Sequence, residues 1–128
     1  MALIPLNTFK TKTAVLSTAT SSTIYVAPIG VTSIILMAQV ANTDTADHTV
    51  TFSHHRRFRV LPDAQGNNAQ APNITTELVK DFLIPGNDAG TMITGKMIIE
   101  SQDSIIAYGN DNTGKLKLVL SILETANT

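Results

Sequence analysis

The chain has 128 residues, with 9 Lys and Arg against 10 Asp and Glu, and a formal net charge of −1. That length suits one domain with an ordinary core, and the near-neutral balance argues against a general nucleic-acid binder, whose footprint is strongly basic. With no cysteine in the chain there is no disulfide and no thiolate chemistry.

Charged residues make up only 15% of the chain, so its polar surface has to come from Thr, Ser, Asn and Gln. Such a surface suits close packing against a neighbour, where charges would have to be desolvated. Nothing approaches the ~18 apolar residues of a membrane span. The start also lacks the basic stretch of a secretory signal, so the expectation is a protein assembled in the cytoplasm with no membrane partner.

Residues 1–9 read as an N-terminal arm ahead of a domain over 10–128. Leu3, Ile4, Leu6 and Phe9 are apolar, but Pro5 breaks both helix and ladder and no period is kept. Two readings stay open: an edge strand tucked onto the core, or an arm that docks on another subunit. Lys10 to Leu16 then alternates as an outer strand, 17–22 is a linker of small residues, and Thr23 to Val26 is a short strand. Ala27-Pro28-Ile29-Gly30 is a turn, with Gly30 free to take a positive φ.

Thr32 to Ala41 has no Pro, Gly or charge and is apolar on both parities, which predicts a central strand covered on both sides. Its cover is either a second sheet or a neighbouring subunit. Residues 42–47 form a loop rich in backbone-bonding side chains. His48 to Val60 reads as one long strand, 61–73 as the one long loop, and 74–84 as a further strand. Pro85 to Gly90 is a turn. Met92-Ile93, Met97 to Ile99 and Ser104 to Tyr108 are short strands, and Lys115 to Glu124 alternates cleanly. About eight strands at short, turn-marked spacing predict an all-β fold, a single antiparallel β-sandwich of jelly-roll or Ig-like type. Its expected core is Ile34, Leu36, Val40, Val50, Phe52, Leu116, Leu118, Leu120 and Ile122.

The three histidines do not predict a metal site. His54 and His55 are adjacent on a strand and so face opposite ways, and His48 and His54 lie ~20 Å apart at ~3.3 Å per residue. No serine elbow, phosphate-binding loop or dinucleotide fingerprint is present, and the carboxylates are scattered. The expectation is no enzyme and no cofactor. The densest feature is His54-His55-Arg56-Arg57-Phe58-Arg59, where alternation would put His55, Arg57 and Arg59 on one face. Such a stripe suits a carboxylate-bearing protein partner, since Arg binds carboxylates bidentately; the bland alternative is a solvated strand face.

Several segments resemble a known group. They are Tyr25-Val26-Ala27-Pro28-Ile29-Gly30-Val31-Thr32-Ser33-Ile34-Ile35-Leu36, Gln39-Val40-Ala41-Asn42, Phe82-Leu83-Ile84-Pro85, the run from Gly95 to Ile105, and Leu120-Ser121-Ile122-Leu123-Glu124. Together, over roughly residues 23–124, they look like the small β-sandwich virion structural proteins of tailed phages, those of cyanophages and marine phages above all. Gln102 stands where that group often has glycine. The resemblance implies a capsid decoration (cement) protein of the virion, or else a neck, tail or baseplate subunit. Its implied partners are capsid or tail proteins of the same virion and further copies of itself, with no catalytic residues and no nucleic acid. A carbohydrate-binding module is the alternative from another class, but it needs aromatic platforms, and the chain has no Trp and two Tyr.

Overall fold

The computed structural model describes residues 7–57, 59–62, 68–71 and 73–126, with the backbone alone for 59–62 and 68–71. Two antiparallel sheets pack together as a β-sandwich. The larger has β1 (Asn7–Val15), β11 (Leu116–Ala126), β3 (Val31–Asn42) and β8 (Asp88–Thr91) in that order, with β9 (Met97–Ile99) also on β3. The smaller runs β2 (Thr23–Val26), β10 (Ser104–Gly109), β4 (His48–Arg56), β7 (Ile74–Ile84). A separate hairpin joins β5 (Arg59–Pro62) to β6 (Asn68–Ala71).

Strand β11 keeps its period from end to end. Leu116, Leu118, Leu120 and Ile122 are all buried, as their alternation predicts. Val40, Val50 and Phe52 also take their expected core places. Ile34 and Leu36 do not: both are half-buried, and Ile35 is in the core instead. The cause is a β-bulge. Ser121 pairs with Met37 but Ile122 pairs with Ile35, so Leu36 is an extra residue that reverses the parity of β3. Ala38 and Val40 face inward on one side of it, Ser33 and Ile35 on the other.

Three other boundaries move. The long strand expected over His48 to Val60 stops at Arg56, because the Arg57 backbone N–H leaves the ladder for Asp103 Oδ1 at 3.0 Å. The loop expected over 61–73 contains part of the β5–β6 pairing. The turn expected over Pro85 to Gly90 is shorter, since β8 already starts at Asp88, and Asn87 takes φ 57° there; Met92-Ile93 lies outside any strand. Of the arm, residues 1–6 lie outside the described residues, while 7–9 belong to β1, with Asn7 opposite Thr125.

The turns use the chemistry expected of them. Val31 N–H bonds Pro28 O at 3.1 Å, which makes Gly30 the third residue of the turn, at φ 76°. Gln102 takes φ 70° in the matching position of the 100–103 turn, where Asp103 N–H bonds Glu100 O at 3.0 Å. A left-handed φ is the conformation that favours glycine, so a non-glycine there is held by its surroundings. The Gln102 N–H supplies one such tie, to Ala27 O at 2.9 Å.

Candidate functional site

The outward face of the larger sheet can be read residue by residue from its register. Phe9 is opposite Leu123, Leu123 opposite Ile34, and Ile34 opposite Ile98. These four apolar side chains form one row crossing β1, β11, β3 and β9. Phe9 and Ile98, at its ends, are 73% and 62% exposed, and Ile34 and Leu123 between them are half-buried. The next rows are Thr11, Ser121 and Met37, then Thr13, Val119, Gln39 and Thr91, then Val15, Lys117, Ala41 and Ala89. Along these paired strands Lys117 is the one charged outward residue, at the far end from the apolar row.

This face explains the two-sided apolar pattern of β3. Its inward parity builds the core, and its outward parity, with Leu36 and Met37 at the bulge, is open. An apolar face of this breadth on a chain so low in charge is a candidate interaction surface. The edges are guarded by different means. Lys10 and Lys12 stand on the inward parity of edge strand β1, opposite Ile122 and Leu120. Edge strand β7 is bulged against β4 and carries Glu77, Lys80 and Asp81. Inward charges and bulges hinder strand addition at these two edges.

Of the residues expected to bind a partner, Phe9 lies on this face. Leu3, Ile4 and Leu6 lie outside the described residues, as does the side chain of Arg59. His55, Arg57 and Arg59 do not follow one another along a single strand: His55 is in β4, Arg57 follows its end, and Arg59 opens β5. His55 Nδ1 is 2.8 Å from Thr75 Oγ1 on β7, and Arg57 is exposed. His54 turns the other way, with a buried Nε2 that has no hydrogen-bond partner, 3.7 Å from Asp103 Oδ2. The two histidines thus sit on opposite faces, as alternation requires.

One polar cluster is buried between the sheets. The Tyr25 hydroxyl, from β2, donates to Glu124 Oε2 on β11 and sits 2.6 Å from Ser33 Oγ on β3. Because the phenol proton goes to Glu124, Ser33 has to donate to the phenol oxygen. Lys10 Nζ takes the other Glu124 oxygen at 2.9 Å. Burial, and then the hydrogen bond to Glu124, hold the Tyr25 phenol far above its ordinary range. Burial alone would push Glu124 up, but the Tyr25 hydrogen bond and the Lys10 contact outweigh it and leave the carboxyl below its ordinary value. A neutral phenol on an ionised carboxylate is a tether between sheets, not a base awaiting a substrate.

Removing that hydroxyl should cost stability. Tyr25→Phe leaves a buried carboxylate one donor short, which costs about 1–3 kcal/mol. Because the Glu124 value is depressed on folding, its contribution is present above its unfolded value and is lost as pH falls through the folded one. The variant should therefore lose less stability on acidification than the wild type does. Urea titrations at neutral and acid pH measure this, and parallel losses in both proteins would show that Tyr25 does not sustain the charge.

A groove of about 480 Å³ opens between β7 and the 92–97 segment, lined by Leu78, Phe82, Met92 and Met97 with Lys96 its one titratable group. It gathers no acid–base pair. A scan against protein-family models finds no match to the chain, and no curated protein compared with it is significantly similar.

Proposed function

We propose that the protein is a structural subunit of a tailed-phage virion, a decoration protein that binds and stabilises the shell by seating the outer face of its larger sheet on capsid subunits. The observation that carries this reading is the Phe9–Leu123–Ile34–Ile98 row on a face with one charged side chain along its strands. Covering an exposed Phe or Ile gains about 1.5–3 kcal/mol, and the charges beside the row, Lys10 next to Phe9 and Lys96 next to Leu36 and Met37, are flexible lysines that can keep their ammonium groups in water at the rim. Its fitting partner is another neutral, apolar surface, and many copies on a repeating lattice stabilise it through multivalent contact. The resemblance of the turn-bearing segments to phage β-sandwich subunits supports the same reading. The exposed Arg57 suits the polar rim of such a contact rather than its centre.

An antibody against the chain, imaged on intact particles by electron microscopy, should decorate the head in a regular array. Decoration of the neck or tail would move the protein there, and bare particles would overturn the virion reading. On the protein side, Ile98→Glu puts a charge at one end of the row while changing an exposed position, so the melting temperature should hardly move. Particle binding should weaken by at least about tenfold, since a carboxylate would have to be desolvated there. Wild-type occupancy by the folded variant would remove this face from the contact.

A further inference from the structure

We propose that His48 is a pH-sensitive clamp: doubly protonated, it ties the loop between β3 and β4 to the loop between β10 and β11, and deprotonation breaks one of the two ties. The proposal is independent of the virion reading and concerns the end of the sandwich where these loops meet.

The argument rests on which atoms can donate. His48 Nδ1 is 3.1 Å from Asn110 Oδ1, which also lies 3.0 Å from the Thr49 backbone nitrogen. A backbone N–H only donates, so the Asn110 amide must turn its oxygen to both groups. Nδ1 therefore carries a proton. On the other side, Nε2 is 3.0 Å from Asp44 Oδ2, a carboxylate whose second oxygen accepts the Thr45 N–H at 2.7 Å. An ionised carboxylate only accepts, so Nε2 carries a proton as well. Only the imidazolium satisfies both partners. Either neutral tautomer would set a ring lone pair against an acceptor.

The surroundings favour that charge. Asp44, in the first loop, and Asp111, in the second, bring two carboxylates to the ring, and the ligand atoms of the three residues lie within 4.8 Å of one another. Asp111 is held in place by Thr113 N–H and Oγ1 at 3.1 and 2.6 Å and by Lys115 N–H at 3.1 Å. From β7, the residue opposite His48 is the uncharged Ile84. The Asp44 hydrogen bond, opposed by burial and assisted by Asn110, holds the His48 value above its ordinary 6.5. Three such ligand atoms also have the spacing of a cation site, but with both ring nitrogens donating, His48 has no lone pair to give a metal. The cluster holds a proton.

The sign follows. A histidine whose value is raised on folding contributes stability in full below its unfolded value, and that stability is lost as pH rises through the folded one. Asp44 and Asp111 are both held below their ordinary values, so they keep their charge until strong acid. The roots of the two loops are joined independently of the His48 charge, because the Thr43 N–H and hydroxyl both bond Lys115 O, at 2.9 and 3.0 Å. His48 thus governs the outer parts of the loops.

Imidazole NMR of the full chain tests this. His48 should titrate above 6.5 and show both ring N–H groups below its transition. Amide exchange of residues 44–47 and 110–113, corrected for intrinsic pH dependence, should rise about tenfold across that transition. In His48→Gln the corrected exchange should be independent of pH over the same range. In Asn110→Ala, which serves if His48→Gln does not fold, the His48 transition should move down. The proposal is overturned by titration of His48 at or below 6.5, by equal pH dependence in His48→Gln, or by stoichiometric Zn²⁺ uptake at pH 7 that needs His48, since a metal requires the neutral ring.

Discussion

Leu118→Ala should lower the unfolding free energy by about 2–5 kcal/mol, the range for emptying a leucine site in a packed core. Leu118 is 2% exposed and lies near the start of β11, between Ala14 on β1 and Val40 on β3. Both neighbours belong to strands hydrogen-bonded on either side, so the backbone has little freedom to close over the space left. Thermal or urea unfolding reads the loss directly. A midpoint equal to that of the wild type would mean that the last strand is out of phase, with Lys117 and Val119 facing inward.

Gly86→Ala should be comparably damaging for the opposite reason. A Cβ there would stand 2.2 Å from Thr45 O and 2.5 Å from Thr45 C, both backbone atoms that no rotamer change can move. The turn after β7 and the loop after β3 are pressed together by their own bonds. Gly86 N–H reaches Asp47 Oδ1 at 3.1 Å, and Asn87 N–H reaches Asp44 O at 2.9 Å. The Asn42 side chain bridges Ala46 O and Ile84 O at 2.8 and 3.0 Å. Admitting a methyl group means parting these segments, at a cost of about 3 kcal/mol or more, the upper end of overpacking. Urea unfolding checks it: a variant within about 0.5 kcal/mol of wild type would show that the two segments separate freely. Because Asp44 sits in the displaced loop, the same variant should also lower the His48 titration.

What could be read from the residues alone is what depends on near neighbours along the chain. The strict alternation of Leu116 to Ile122 is a local property, so their burial followed from spacing two apart. So did the Gly30 turn, the opposite facing of His54 and His55, and the all-β class, since turn-marked strands with few helix signals leave a sandwich or barrel as the economical fold. The apolar residues on both parities of β3 already showed that both of its faces would carry apolar side chains.

What only the tertiary structure decided depends on partners far away in sequence. The bulge at Leu36 exists in the pairing of β3 with β11, and it exchanged Ile34 for Ile35 in the core without any mark in the residues themselves. The end of β4 is set by Asp103, 46 residues beyond the N–H it accepts, and this divides His55, Arg57 and Arg59 between separate elements. The apolar row needs the register of four strands, drawn from both ends and the middle of the chain, before Phe9, Leu123, Ile34 and Ile98 become neighbours. His48 owes its charge to one loop on each side. Periodicity is local, whereas register and the choice of face left open come from long-range pairing, and a one-residue shift in that pairing turns every later side chain over.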